Sequence, residues 1–125
     1  MRLGTYLAIS IGAVLGANAR YLLGGWIGEQ ASSSFPWGTF VINVTGSLAI
    51  GLVLGLAADR VMPWWWRPGV AIGFLGAYTT FSTFSYETLN LLQEGSYVAA
   101  AANMVGSVAI ALIAVFAGVM IARVV

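Results

Sequence analysis

The nine formal charges of this 125-residue chain fall at Arg2, Arg20, Glu29, Asp59, Arg60, Arg67, Glu87, Glu94 and Arg123, and their placement decides what it can fold into. Between them run four uncharged stretches, at 3–19, 30–58, 68–86 and 95–122. A helix needs about 20 mostly apolar residues to cross the hydrocarbon of a bilayer, so four crossings fit and a fifth does not. The chain cannot cover a water-facing surface either: charged residues make up 7% of it, against roughly 25% in a soluble domain. The expectation is an all-α integral membrane protein, a single four-span domain over residues 1–125. Its spans run from Leu3 to about Leu23, Trp37 to Ala58, Pro68 to Leu92, and Tyr97 to Ile121.

The connections agree with this reading. Glu29 to Pro36 is a polar turn and Asp59 to Pro68 a second one, both punctuated by proline. Trp26, Trp37 and the triplet Trp64-Trp65-Trp66 sit at span ends, where indole suits the headgroup layer. The first apolar run lacks a clear small-residue cleavage pattern, so it is read as a span rather than a removable signal. Four crossings put Arg2, Arg60, Arg67 and Arg123 on one side, facing Glu29, Glu94 and at most Arg20 on the other. Under the positive-inside rule both termini belong in the cytoplasm. Gly12-x-x-x-Gly16, Gly51-x-x-x-Gly55 and Gly69-x-x-x-Gly73 allow close helix approach. That spacing fits a tight bundle or packing between protomers, and says nothing of a substrate.

The centre of the third span is unlike lipid-facing helix. Thr79, Thr80, Ser82, Thr83 and Ser85 crowd together with Phe81 and Phe84 between them, in a run free of charge. Polarity at membrane depth is tolerated where it is buried in protein or lines a wet cavity. Thr39, Asn43 and Ser47 recur at i, i+4 and i+8 on the second span, and Asn103 and Ser107 repeat the device on the fourth. Each stripe alone can be interhelical glue, at about 1 kcal/mol or less per hydrogen bond. With the hydroxyl cluster they can also line a narrow route rich in donors. Phe81 and Phe84 are ordinary packing residues unless something uses their rings: the edge of an aromatic ring is positive, and a small anion can sit there while hydroxyls and an amide replace its water.

Several classes drop out. The net charge of +1 offers no basic patch for nucleic acid. The chain has no cysteine, so it forms no disulfide, and no histidine or lysine. It shows no metal-ligand cluster, no nucleophile with a base beside it and no phosphate loop. Glu87 and Glu94 can share a helix face but lie near the end of a span, a poor setting for paired carboxylate catalysis. An enzyme is not expected.

The residues resemble those of the Fluc (CrcB-like) fluoride channels, small four-span proteins of the bacterial plasma (inner) membrane. The likeness runs the whole length. It includes Gly12-x-x-x-Gly16-x-x-x-Arg20-Tyr21, Pro36-Trp37-Gly38-Thr39 followed by Asn43, and Gly73-Phe74-Leu75-Gly76 running into Thr79-Thr80-Phe81-Ser82-Thr83-Phe84-Ser85. The resemblance implies passive fluoride export that relieves fluoride toxicity, through two narrow pores in an antiparallel, dual-topology dimer. It implies a third helix broken at its middle, where the backbone carbonyls of Gly76 and Thr79 from both copies hold a structural sodium ion (Na+). Phe81 and Phe84 then match the pore phenylalanines, with Asn43 as amide donor and Thr39, Ser107 and Glu87 along the route. Arg20 matches a vestibule residue that attracts anions; from the residues alone it is equally a snorkelling arginine.

Other readings stay open at this level. The four-to-one excess of arginines also suits a chain that pairs with an oppositely oriented paralogue. Ala111 continues the Asn103–Ser107 stripe without a hydroxyl, which shortens the polar track, and Asn18 has no assignable role. A small dimeric multidrug exporter has four spans too, but proton coupling needs an embedded carboxylate, which the first span lacks. A non-transporting assembly protein explains the glycines and tryptophans but not the clustered hydroxyls and phenylalanines. Physics alone points to a small anion, and fluoride comes from the resemblance.

Overall fold

A computed structural model describes residues 2–125, which are helical with no strand among the described residues. Helix α1 spans Leu3–Gln30 and α2 spans Trp37–Asp59. The third span comes in two pieces: α3 runs as a wider π-helix over Trp66–Leu75 and tightens to α-helix at Gly76–Tyr78, and α4 covers Ser82–Gln93. Helix α5 covers Tyr97–Val124. By length and composition α1, α2 and α5 are each able to cross a membrane. Neither half of the third span reaches the required length by itself.

Most boundaries fall within three residues of the expected spans. The exception is α1, expected to end near Leu23, which persists through Gly24, Gly25 and Gly28 to Gln30. Each glycine weakens a helix by about 1 kcal/mol, yet the hydrogen-bond ladder continues to the end, where the Ala31 N–H bonds the Ile27 carbonyl at 3.1 Å. At the other tight corner, Gly95 takes φ 77° and ends α4. The Ser96 N–H then reaches back to the Leu91 carbonyl at 2.9 Å, the usual way of satisfying a helix C-terminus.

The glycine spacings act within one chain. A Cβ on Gly12 would meet the Gly69 carbonyl oxygen, and one on Gly16 the Phe74 carbonyl oxygen, so α1 lies directly on α3. Gly51 faces the Val115 carbonyl and Gly118 the Leu48 carbonyl in the same way, joining α2 to α5. Between the two pairs lies a small core of Val53, Ala71 and Leu75, flanked by Ile50 and Phe74. Trp66 closes it by donating its indole N–H to the Val53 carbonyl at 3.1 Å. Helix α4 is packed far more lightly and touches mainly the start of α5.

Candidate functional site

The site is built around the interruption of the third span. Thr79 leaves helical geometry at φ −82°, ψ 158°, and Ser82 resumes it. Sequence placed the break at Gly76 to Thr79; the helix instead holds through Tyr78, and the non-helical residues are 79–81. Breaking a helix frees backbone groups that must find other partners, and side chains from distant elements supply several. Arg20 on α1 donates its Nε–H to the Ala77 carbonyl at 3.1 Å. Asn43 on α2 donates from Nδ2 to the Thr80 carbonyl at 2.9 Å, while its Oδ1 accepts the Thr80 N–H at 2.8 Å. The Thr83 N–H turns to Thr80 Oγ1 at 3.3 Å. The carbonyls of Gly76 and Thr79 accept no hydrogen bond among the described residues.

Neighbouring side chains fix the approach to the break. Tyr78 is buried, stacks on Phe74 at 5.9 Å, and its hydroxyl pairs with Thr45 Oγ1 at 2.8 Å. Gly46 makes room: a Cβ there would run into the Thr79 methyl and approach the Tyr78 ring at 3.1 Å.

Two hollows flank the interruption, and Thr80 lines both. The smaller, of about 300 Å³, brings together Asn43, Gly76, Thr79, Phe81, Phe84 and Ser107. The larger, of about 520 Å³, takes Arg20, Thr39 and Glu87 with Thr83. The expected residues therefore divide into two groups on either side of the break. In the smaller hollow the Phe81 and Phe84 rings lie 5.7 Å apart at 37°, Phe84 half-buried and Phe81 78% exposed. In the larger one Thr39 donates to Glu87 Oε1 at 2.7 Å, while Oε2 is enclosed without a partner. Arg20 reaches the backbone of the break rather than Glu87.

The stripe on the fourth span splits in role. Asn103, 1% exposed, donates to Thr88 Oγ1 at 2.9 Å and accepts the Ser107 hydroxyl at 3.0 Å. That network ties α4 to α5, so Asn103 is glue. The Ser107 proton is committed to it, which leaves Ser107 to offer lone pairs to the smaller hollow. Asn18 donates to the Val14 carbonyl one turn back, a local contact. Sequence reasoning left Thr80, Thr83 and Thr88 without individual roles, although they sit in or beside the hydroxyl cluster. The Thr45–Tyr78 pair spans 33 residues and has no sequence signal.

Among the described residues no three His, Cys, Asp or Glu side chains cluster as a metal site. The available donors are carbonyl oxygens. Hard cations take such ligands, and the unpaired oxygens of Gly76 and Thr79 suit an alkali cation.

Comparison with known proteins bears on this arrangement. Residues 7–119 match the family model described as CrcB-like protein, Camphor Resistance (CrcB). A protein of Geobacter sulfurreducens named fluoride-specific ion channel FluC is 47% identical over 120 residues, covering 95% of this chain and 97% of its own. Proteins of the same name from Nitrobacter winogradskyi and Geobacter metallireducens are 48% and 44% identical over the same length, each with 95% of this chain covered. They cover 95% and 97% of those relatives respectively.

Proposed function

The chain belongs to the CrcB-like family, and we propose on that premise that it is a passive, fluoride-selective channel of the bacterial plasma membrane, relieving fluoride toxicity. It is a multi-pass membrane protein from a family of ion channels rather than enzymes. The observation that carries the proposal is the smaller hollow, where two phenylalanine rings, an amide and the interrupted backbone meet with no carboxylate among the lining residues.

Fluoride holds its water strongly, so a path for it must replace that water with donors. Asn43 uses one N–H on Thr80 and keeps a second. The ring edges of Phe81 and Phe84 add positive potential without adding hydration. On the far side of the break, Arg20 draws anions into the wider hollow, where Thr39, Thr80 and Thr83 carry hydroxyls and Glu87 sits against Thr39. Phe81 is too exposed for one chain to enclose an ion beside it. A second copy in inverted orientation closes the wall and gives two pores per dimer. The carbonyls of Gly76 and Thr79 from both copies would hold a sodium ion, which when bound offsets their dipoles at the centre of the dimer.

Liposomes carrying the purified chain test this. Fluoride should leave down its gradient when an ionophore balances charge, with no proton requirement and with chloride retained. Equal loss of chloride, or flux that needs a proton gradient, would overturn the proposal.

A further inference from the structure

We infer that Asn43 and the Thr80 hydroxyl are positioning groups that free the Gly76 and Thr79 carbonyls at the break, by taking the backbone N–H groups that would otherwise pair with them. In an α-helix each N–H bonds the carbonyl four residues earlier. A continuous third helix would therefore pair Thr80 N–H with Gly76 O, and Thr83 N–H with Thr79 O. Both donors are diverted here: the first goes to Asn43 Oδ1 at 2.8 Å, the second to Thr80 Oγ1 at 3.3 Å. These two diversions account for the free carbonyls of Gly76 and Thr79; the Tyr78 carbonyl, which a continuous helix would pair with the Ser82 N–H, is also without a partner among the described residues.

Side chains of Asn, Ser and Thr are known to compete with the backbone in this way. Asn43 does so at both ends of one residue, accepting the N–H of Thr80 and donating to its carbonyl, as a neighbouring strand residue does in an antiparallel pair. The contact is reinforced by Gly46, which leaves space for the Thr79 methyl, and by the Thr45–Tyr78 hydroxyl pair one turn away. All of these contacts lie within one chain. The break is thus set before a second copy or an ion arrives, and α2 is the template. The inference rests on the proposed sodium site only for its functional consequence.

Amide exchange of the full-length protein in lipid nanodiscs, followed by NMR in sodium and in sodium-free buffer, separates the possibilities. In Asn43→Leu the Thr80 N–H should exchange about tenfold faster or more, whereas Asn43→Asp keeps an acceptor oxygen and should keep the Thr80 protection. In the near-isosteric Thr80→Val the Thr83 N–H should return to the Thr79 carbonyl. It should then become about tenfold better protected, and stabilisation by added sodium should be lost. If Asn43→Leu fails to fold, the aspartate and valine variants still decide. Unchanged Thr80 exchange in Asn43→Leu, lost protection in Asn43→Asp, or unchanged Thr83 exchange in Thr80→Val would overturn the inference. A parent that ignores sodium while the exchange pattern holds would refute the ion site and leave the template standing.

Discussion

Thr39 donates its hydroxyl to Glu87 at 2.7 Å, the one side-chain hydrogen bond joining α2 to α4 among the described residues. Because the second carboxylate oxygen of Glu87 is enclosed without a partner, this single donor is what holds the side chain.

Thr39→Val should therefore lower the melting temperature of the protein in detergent, by the equivalent of about 1–3 kcal/mol for an orphaned polar group, and reduce fluoride flux. Thr39→Ser should restore both. A valine variant as stable and as conductive as the parent would show that the contact is incidental.

Phe81→Ile and Phe84→Ile keep apolar bulk but remove the positive ring edge. Each should cut fluoride efflux from liposomes by roughly tenfold or more, the scale of an aromatic interaction worth about 1.5 kcal/mol, while size-exclusion profiles stay those of the parent. Full conduction by both variants would mean that the rings only pack.

The glycine contacts predict a contrast along α1. Gly16→Ala places a methyl against the Phe74 carbonyl and should destabilise by about 1–3 kcal/mol. Gly28→Ala meets nothing within 4 Å and should leave the melting temperature unchanged or slightly raised.

Sodium and orientation can be tested together. If the proposed site holds sodium, replacing sodium with N-methylglucamine throughout purification should lower the protein's melting temperature, and restoring sodium should recover it. Cysteines placed at each terminus and labelled from one side of intact cells should reveal both orientations. Labelling from one side only, in cells where this chain alone forms a conducting dimer, would rule out inverted pairing despite the arginine excess.

Sequence carried the bundle well because the four long uncharged stretches seed the spans and lipid leaves the backbone little choice, although Arg20, Glu29, Arg67 and Glu87 fall inside helices. It carried the neighbourhood of the site as well: the i, i+4 spacing of Thr39 and Asn43 puts both on the side of α2 that meets the third span. What it could not carry is which hydroxyl serves which purpose. Asn103 and Ser107 have the same spacing as Asn43 and Ser47, yet Asn103 is almost fully enclosed against Thr88 while Asn43 grips a backbone. The difference depends on which neighbour each helix face meets, helical Thr88 for Asn103 and non-helical Thr80 for Asn43, and no local pattern encodes that. The position of the break was read a little early: the resemblance put it around Gly76 to Thr79, but the donor that is pulled away belongs to Thr80.

The length of α1 has a consequence for the journey an ion makes. Its 28 residues rise about 42 Å at 1.5 Å each, against a hydrocarbon layer of about 30 Å. Unless the helix is steeply tilted, its last turns stand above the oily layer. Gly24, Gly25 and Gly28 on those turns form part of the rim of the larger hollow. The rim is thus a parapet at headgroup height, and the hollow below it a well that opens to water partway into the membrane. On the proposed route, the stretch over which an ion would shed its hydration is correspondingly shorter than the bilayer is thick, and it would centre on the step over Thr80.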